Sequence, residues 1–129
     1  MIGPRQSKQT AADERRARAL VKNRDQGLCV RCGLPGNNFD HRKGRGRGGR
    51  WAASNGQTLC GSGTTGCHGW RTMNPAQALE DGFDVPGYAR PELWPARRHG
   101  VGWVLYDDEG GFEPITAATA RLLTEGQVG

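Results

Sequence analysis

Apolar positions are sparse in the first third of the chain, and their spacing is helical. Ala17, Leu20 and Val21 form a narrow stripe within a run rich in Ala, Arg and Glu. That pattern predicts a helix over 11–26 that packs against the domain rather than forming its centre. Thr10-Ala-Ala-Asp13 opens it like a capping box, with Asp in place of the usual Glu, and Gly27 ends it. Residues 1–9 are polar, include Gly3-Pro4, and are expected to fray.

Next come short elements separated by turns. Cys29-Val-Arg-Cys32-Gly33 reads as a tight knuckle, and Phe39 leads into a short strand ending near His41. Residues 42–50 are a Gly/Arg loop, and a second strand runs through Gln57-Thr58-Leu59 toward Cys60. After the small-residue loop 61–66, a helix starts at Cys67-His68-Gly69-Trp70-Arg71. Asn74-Pro75 caps and opens another that stops at Gly82. Beyond Gly82 the texture changes. Pro86, Pro91 and Pro95 mark an extended connection, and two apolar runs, 101–106 and 112–115, flank Asp107-Asp-Glu-Gly-Gly111 as a hairpin. A terminal helix is expected over 116–124. The reading is a small α+β fold with residues 10–82 as one domain and 83–129 as an extension packed on it.

Composition sharpens this picture. With 129 residues, 35% of them hydrophobic, the chain holds one domain with a thin core that a covalent or metal staple would help to fold. No run is long and apolar enough to span a bilayer, and the N-terminus lacks the apolar stretch of a signal peptide, so no membrane partner and a cytoplasmic location are expected. Residues 1–73 carry 14 Lys/Arg against 4 Asp/Glu, whereas the remainder is acidic. A basic front suggests a polyanion met by one face. In a cytosolic chain, Cys29, Cys32, Cys60 and Cys67 point to a metal rather than to disulfides. Cys-x2-Cys plus a second, wider pair is a way to build a tetrahedral thiolate zinc site, with His68 as a lesser candidate for one position.

Two of the three histidines fall inside this cysteine-framed window. Phe39-Asp40-His41-Arg42, Asn55-Gly-Gln-Thr-Leu59-Cys60 and Cys67-His68 together resemble the HNH endonuclease motif with its zinc ribs. Leu59 to Trp70, with its wide cysteine spacing, resembles HNH proteins encoded by actinobacterial phages, and the match covers about residues 15–75. The resemblance implies a ββα-metal (His-Me finger) core stapled by Zn²⁺, and a metal-dependent DNA endonuclease leaving 5′-phosphate and 3′-hydroxyl ends. It implies His41 as general base, and Asp40 and His68 as ligands of a catalytic Mg²⁺, Mn²⁺ or Ni²⁺. Asn55 matches an Asn that orients the base in some members and touches the metal in others; the orienting role is preferred here. A phage setting further implies work beside the terminase in DNA packaging. A neutral imidazole can take a proton from water near pH 7. Because neighbouring strand residues point to opposite faces, Asp40 and His41 can serve one phosphate only if the strand ends or distorts there.

Arg42, Lys43, Arg45, Arg47 and Arg50, with Arg71, are the expected DNA contacts; the loop should be mobile until phosphates neutralise it. Arg15, Arg16, Arg18, Lys22 and Arg24 extend that footprint. No base-reading helix is evident, so weak sequence preference is expected from a monomer or weak dimer. The competing reading is a non-catalytic zinc-stapled module that binds DNA or terminase.

Overall fold

The computed structural model describes residues 8–127. The capping box forms as read: Thr10 Oγ1 accepts from Asp13 N, and the Asp13 carboxylate accepts from Thr10 N at 2.8 Å. It opens α1 (Ala11–Asp25), which closes on Gln26 in the left-handed conformation at φ 56°. Ala17 and Val21, the centre of the apolar stripe, are buried. Most of the expected frayed N-terminus lies outside the described residues. At its end, the Gln9 side-chain amide exchanges two hydrogen bonds with the Trp51 backbone, at 2.9 and 2.6 Å.

The centre is a two-stranded antiparallel ribbon of β1 (Asn38–His41) and β2 (Gly56–Leu59), in the register Phe39↔Thr58, Asp40↔Gln57, His41↔Gly56. Helix α1 lies on one face. A Cβ at Gly56 would sit 2.7 Å from Val21 Cγ2 and would collide with the Phe39 ring. Only glycine lets the helix and that ring close over the ribbon. The other face carries α2 (Gly66–Met73), followed by α3 (Pro75–Glu80). Thus the order β1, β2, α2 emerges as the spacing of turns predicted.

The remainder holds one strand more than expected. β3 (Ala96–Arg98), β4 (Gly102–Tyr106) and β5 (Phe112–Pro114) make a three-stranded antiparallel sheet, and α4 (Ala117–Gly126) follows. The hairpin turn is held by Asp107, whose Oδ1 accepts from Glu109 N and Gly111 N at 2.9 and 2.8 Å. β3 is missing from the sequence reading because Ala-Arg-Arg has no alternation of its own. Its register comes from β4.

The apolar core is divided. Cys29, Val30, Leu59, Cys67, Ala78 and Phe83 form one cluster; Val85, Ala89 and Trp94 a second; and Ala96, Val104 and Tyr106 a third. Buried ion pairs and guanidinium–carbonyl bonds join them. Asp25 accepts from Arg24 at 2.7 Å, from Arg98 at 2.6 Å and from Thr58 N at 3.1 Å. Burial alone would raise the Asp25 pKa, but the two guanidiniums more than offset it and hold it below the ordinary carboxylate value. Arg24, expected on the DNA-facing surface, is therefore interior. No helix among the described residues is long and apolar enough to cross a membrane.

Candidate metal centre and the adjoining acid-histidine site

The knuckle and the α2 entrance bring four thiols together. The Cys29 N–H donates to Leu34 O at 2.7 Å and the Cys29 carbonyl accepts from Gly33 N at 2.9 Å, folding the first pair into one turn. Gly66 at φ 61° lets the chain turn into α2, so that His68 N reaches Cys60 O at 3.0 Å and Cys67 N reaches Cys60 Sγ at 3.4 Å. The ligand atoms of Cys29, Cys32, Cys60 and Cys67 all lie within 4.8 Å of one another, with Cys32 and Cys60 sulfurs 3.6 Å apart. A tetrahedral zinc–thiolate cage has sulfur–sulfur edges of about 3.8 Å. The cluster fits such an ion, and all four cysteines are free. Burial pushes the Cys67 thiol up to about 12 and raises Cys32, while the Cys67 backbone N–H lowers Cys60. Burying these sulfurs beside a divalent cation would reverse the unfavourable members.

Immediately beside the cluster, Asp40 on β1 meets α2. Its Oδ1 stands 3.7 Å from His68 Nε2, beyond hydrogen-bonding distance. Its Oδ2 accepts from Arg71 at 2.9 Å and from the Gln57 amide at 3.1 Å. His68 Nδ1 faces Gly63 O at 3.3 Å, a contact that favours the tautomer with a free Nε2 lone pair. One carboxylate oxygen and one ring nitrogen are left facing each other, at a separation that two donors about 2.1 Å from a single divalent ion can span.

His41 occupies the α1 face. β1 ends there, as a shared site required, yet His41 remains in register with Gly56. Its ring lies 5.3 Å from Phe39 and 4.4 Å from Trp51, edge-on in both cases. Burial first, then the Arg45 charge, holds the imidazole below the ordinary histidine value, and Asp40 pulls the other way. The base candidate and the metal-ligand candidates therefore flank the same strand from opposite sides.

Asn55 does not address His41. It is 1% exposed; its amide oxygen accepts from Lys43 N at 2.7 Å, and its amide nitrogen donates to Lys43 O and Arg50 O at 3.1 and 3.0 Å. The residue is a clip on the 42–50 loop. That loop also bonds to itself, with Gly49 N on Gly44 O at 2.9 Å, and contains a 3-10 turn at Arg45–Arg47, so the segment has local structure of its own.

The expected DNA contacts divide accordingly. Arg42 is 0% exposed and donates to the carbonyls of Gly82, Ser54, Pro91 and Trp94 at 2.6–3.1 Å, which removes it from the phosphate-binding set. Burial lowers its pKa to about 10, so it stays charged at neutral pH. It follows Asp40 by two positions and shares its inward side, a parity that the alternation of a strand already implied. Lys43 Nζ donates to Ala89 O at 3.0 Å. Arg71 is held by Asp40 and by Asp84 at 3.0 Å, and Arg47 by Asp84 at 2.6 Å. Arg45 and Arg47 are exposed, Arg50 half-buried. Gln57, Trp51 and Asp84 take part without having been anticipated. Gln57 faces Asp40 across the ribbon, which the strand pairing alone would have shown.

Among the described residues, three buried side-chain polar atoms lack a hydrogen-bond partner: His41 Nε2, Gln57 Oε1 and Arg71 Nε. Each belongs to a residue adjoining or touching Asp40. Native interiors leave few such atoms; Gln57 Oε1 and Arg71 Nε belong to the two side chains that hold the Asp40 carboxylate, and His41 Nε2 lies on the opposite face of β1. The chain matches no family model, no curated protein and no solved structure.

Proposed function

We propose that this chain is a zinc-stapled endonuclease that hydrolyses DNA phosphodiesters with the help of a second divalent ion, leaving 5′-phosphate and 3′-hydroxyl ends. The observation that carries the reading is the Asp40 Oδ1–His68 Nε2 pair, 3.7 Å apart between β1 and α2, in the element order strand, strand, helix. The unpaired Gln57 Oε1 and Arg71 Nε beside Asp40 support it.

In this reading Asp40 and His68 hold the catalytic ion, and Cys29, Cys32, Cys60 and Cys67 hold Zn²⁺. The catalytic ion supplies charge relief to the phosphate and to the departing oxygen. Gln57 and Arg71 fix the Asp40 carboxylate by one oxygen and leave the other for the ion. The Gly63 carbonyl fixes the His68 tautomer. His41, kept neutral by burial, accepts the proton of the attacking water. For this its ring turns from Trp51 round the end of β1 toward the phosphate, a side-chain rotation the reading requires.

The alternative, a non-catalytic zinc-stapled module that binds DNA or terminase, is favoured by the Arg71 guanidinium already neutralising Asp40 at 2.9 Å. Supercoiled plasmid with Mg²⁺, Mn²⁺ or Ni²⁺ separates the two. Wild type is expected to nick or linearise it, with His41→Ala and His68→Ala at least about a hundredfold slower, in line with loss of a general base or a metal ligand. Equal cleavage by all three proteins, or none with any ion, rejects the enzyme.

A further inference from the structure

The α1 face of the ribbon carries a feature the hydrolytic site does not use. Arg18 on α1 lies over two aromatic rings, 5.6 Å from the Phe39 centroid and 4.8 Å from that of Trp51. Arg45 approaches Trp51 from the loop side at 5.8 Å. Phe39 and Trp51 are themselves 5.0 Å apart and tilted by 41°. Two depressions are lined by members of this group. One, of about 270 Å³, lies between α1 and β1, with Phe39 and Val21 on its apolar side and Arg18 and Lys22 at its edge. The other, of about 610 Å³, is bordered by Lys8, Arg45, Arg50 and Trp51, with Glu14 as its acidic member. Glu14 is already spent on Arg18 at 2.9 Å. The result is a group of cations set among aromatic rings, with the Trp51 ring 4.4 Å from that of His41.

Cations that follow a backbone, with flat rings at intervals for bases to stack on, make a surface suited to unpaired nucleic acid. A duplex hides its bases within the stack, so it would engage the cations and leave Phe39 and Trp51 covered only by Arg18, Arg45 and each other. We propose that this face binds single-stranded DNA, and that the substrate of the proposed nuclease is DNA unpaired near the cut: a single strand, flap, gap or a stretch opened by negative supercoiling, rather than a relaxed duplex. The substrate claim rests on the nuclease reading; the binding claim does not.

The test is fluorescence anisotropy with a labelled 15-nucleotide single strand and the matching duplex. It uses zinc-loaded protein with no added divalent ion, so that nothing is cleaved. The single strand is expected to bind at least about tenfold more tightly than the duplex, the loss expected when one stacked base is forgone. Trp51→Ala should weaken single-strand binding about tenfold while Trp51→Phe retains most of it, since a phenyl ring still stacks. Lys22→Glu, at an exposed position that cannot disturb the core, should weaken it severalfold. Equal or tighter duplex binding, no binding of either DNA, or single-strand affinity indifferent to both Trp51→Ala and Lys22→Glu overturns the proposal. Single-strand binding by a protein that cleaves neither DNA once Mg²⁺, Mn²⁺ or Ni²⁺ is added sinks the nuclease and leaves the binding claim standing. Duplex preference with cleavage does the reverse.

Discussion

The two faces of β1 carry adjacent residues into opposite surroundings. On the α2 side, Asp40 and Arg42 are enclosed and their polar atoms bonded to named partners, the one remaining carboxylate oxygen of Asp40 facing His68. On the α1 side, Phe39 and His41 lie among aromatic rings and cations, and His41 Nε2 is buried without a partner. Strand alternation is the whole cause of the division. It teaches that consecutive letters, Asp40-His41-Arg42, distribute themselves among a proposed metal ligand, a base candidate and a structural strut.

The clamp that both faces share gives the largest expected effect. Cys32→Ser should release the zinc and lower the melting temperature by well over 10 °C, whereas His41→Ala should shift it by no more than about 3 °C. Calorimetry with metal analysis reads both, and unchanged zinc content after Cys32→Ser removes the structural site. Next comes the α2 side. Arg42→Ala takes a charged donor from four carbonyls and should cost roughly 3 kcal/mol or more, because buried acceptors lose a partner. Urea denaturation checks it. A stable variant with weakened DNA binding would instead return Arg42 to the phosphate contacts.

Smaller still is the pH response of the α1 side. The folded state holds His41 below its unfolded value of about 6.5, so the unfolded chain takes up the proton first on acidification. Stability from this group is therefore present above about pH 6.5 and lost as pH falls toward the folded value. Melting curves between pH 7.5 and 5 should fall more steeply for wild type than for His41→Gln. Parallel curves would place the imidazole in solvent. The smallest effect concerns the loop. Arg45→Ala should weaken DNA binding more than Arg47→Ala, whose side chain is already bound to Asp84. Salt titration of binding decides it, and the opposite order would show that the Arg47–Asp84 pair opens on DNA.

Much of this layout was legible in the chain. Thr10 and Asp13 announced α1 because a capping box is local, Asp107 announced its turn for the same reason, and the spacing of four cysteines announced their convergence. What escaped the reading depends on partners distant in sequence. Arg42 looks like its basic neighbours until Pro91 and Trp94 supply carbonyls from 49 and 52 residues away. Asn55 reads as a catalytic motif letter until the loop it clips is folded over it. Asp84 lies past the boundary drawn at Gly82, yet it gathers Arg47 and Arg71 beside Asp40. Trp51 follows a polar loop and carries no local sign that Phe39, His41 and Arg18 will assemble around it.

The claim on which the rest depends is that Asp40 and His68 share one divalent ion. Adding Mn²⁺ to ¹⁵N-labelled, zinc-loaded protein tests it without any appeal to cleavage. The account predicts paramagnetic broadening centred on the amides of Asp40, Gly63 and His68 and abolished by His68→Ala. Broadening confined to the acidic turn at Asp107–Glu109, or unaltered in His68→Ala, would contradict it.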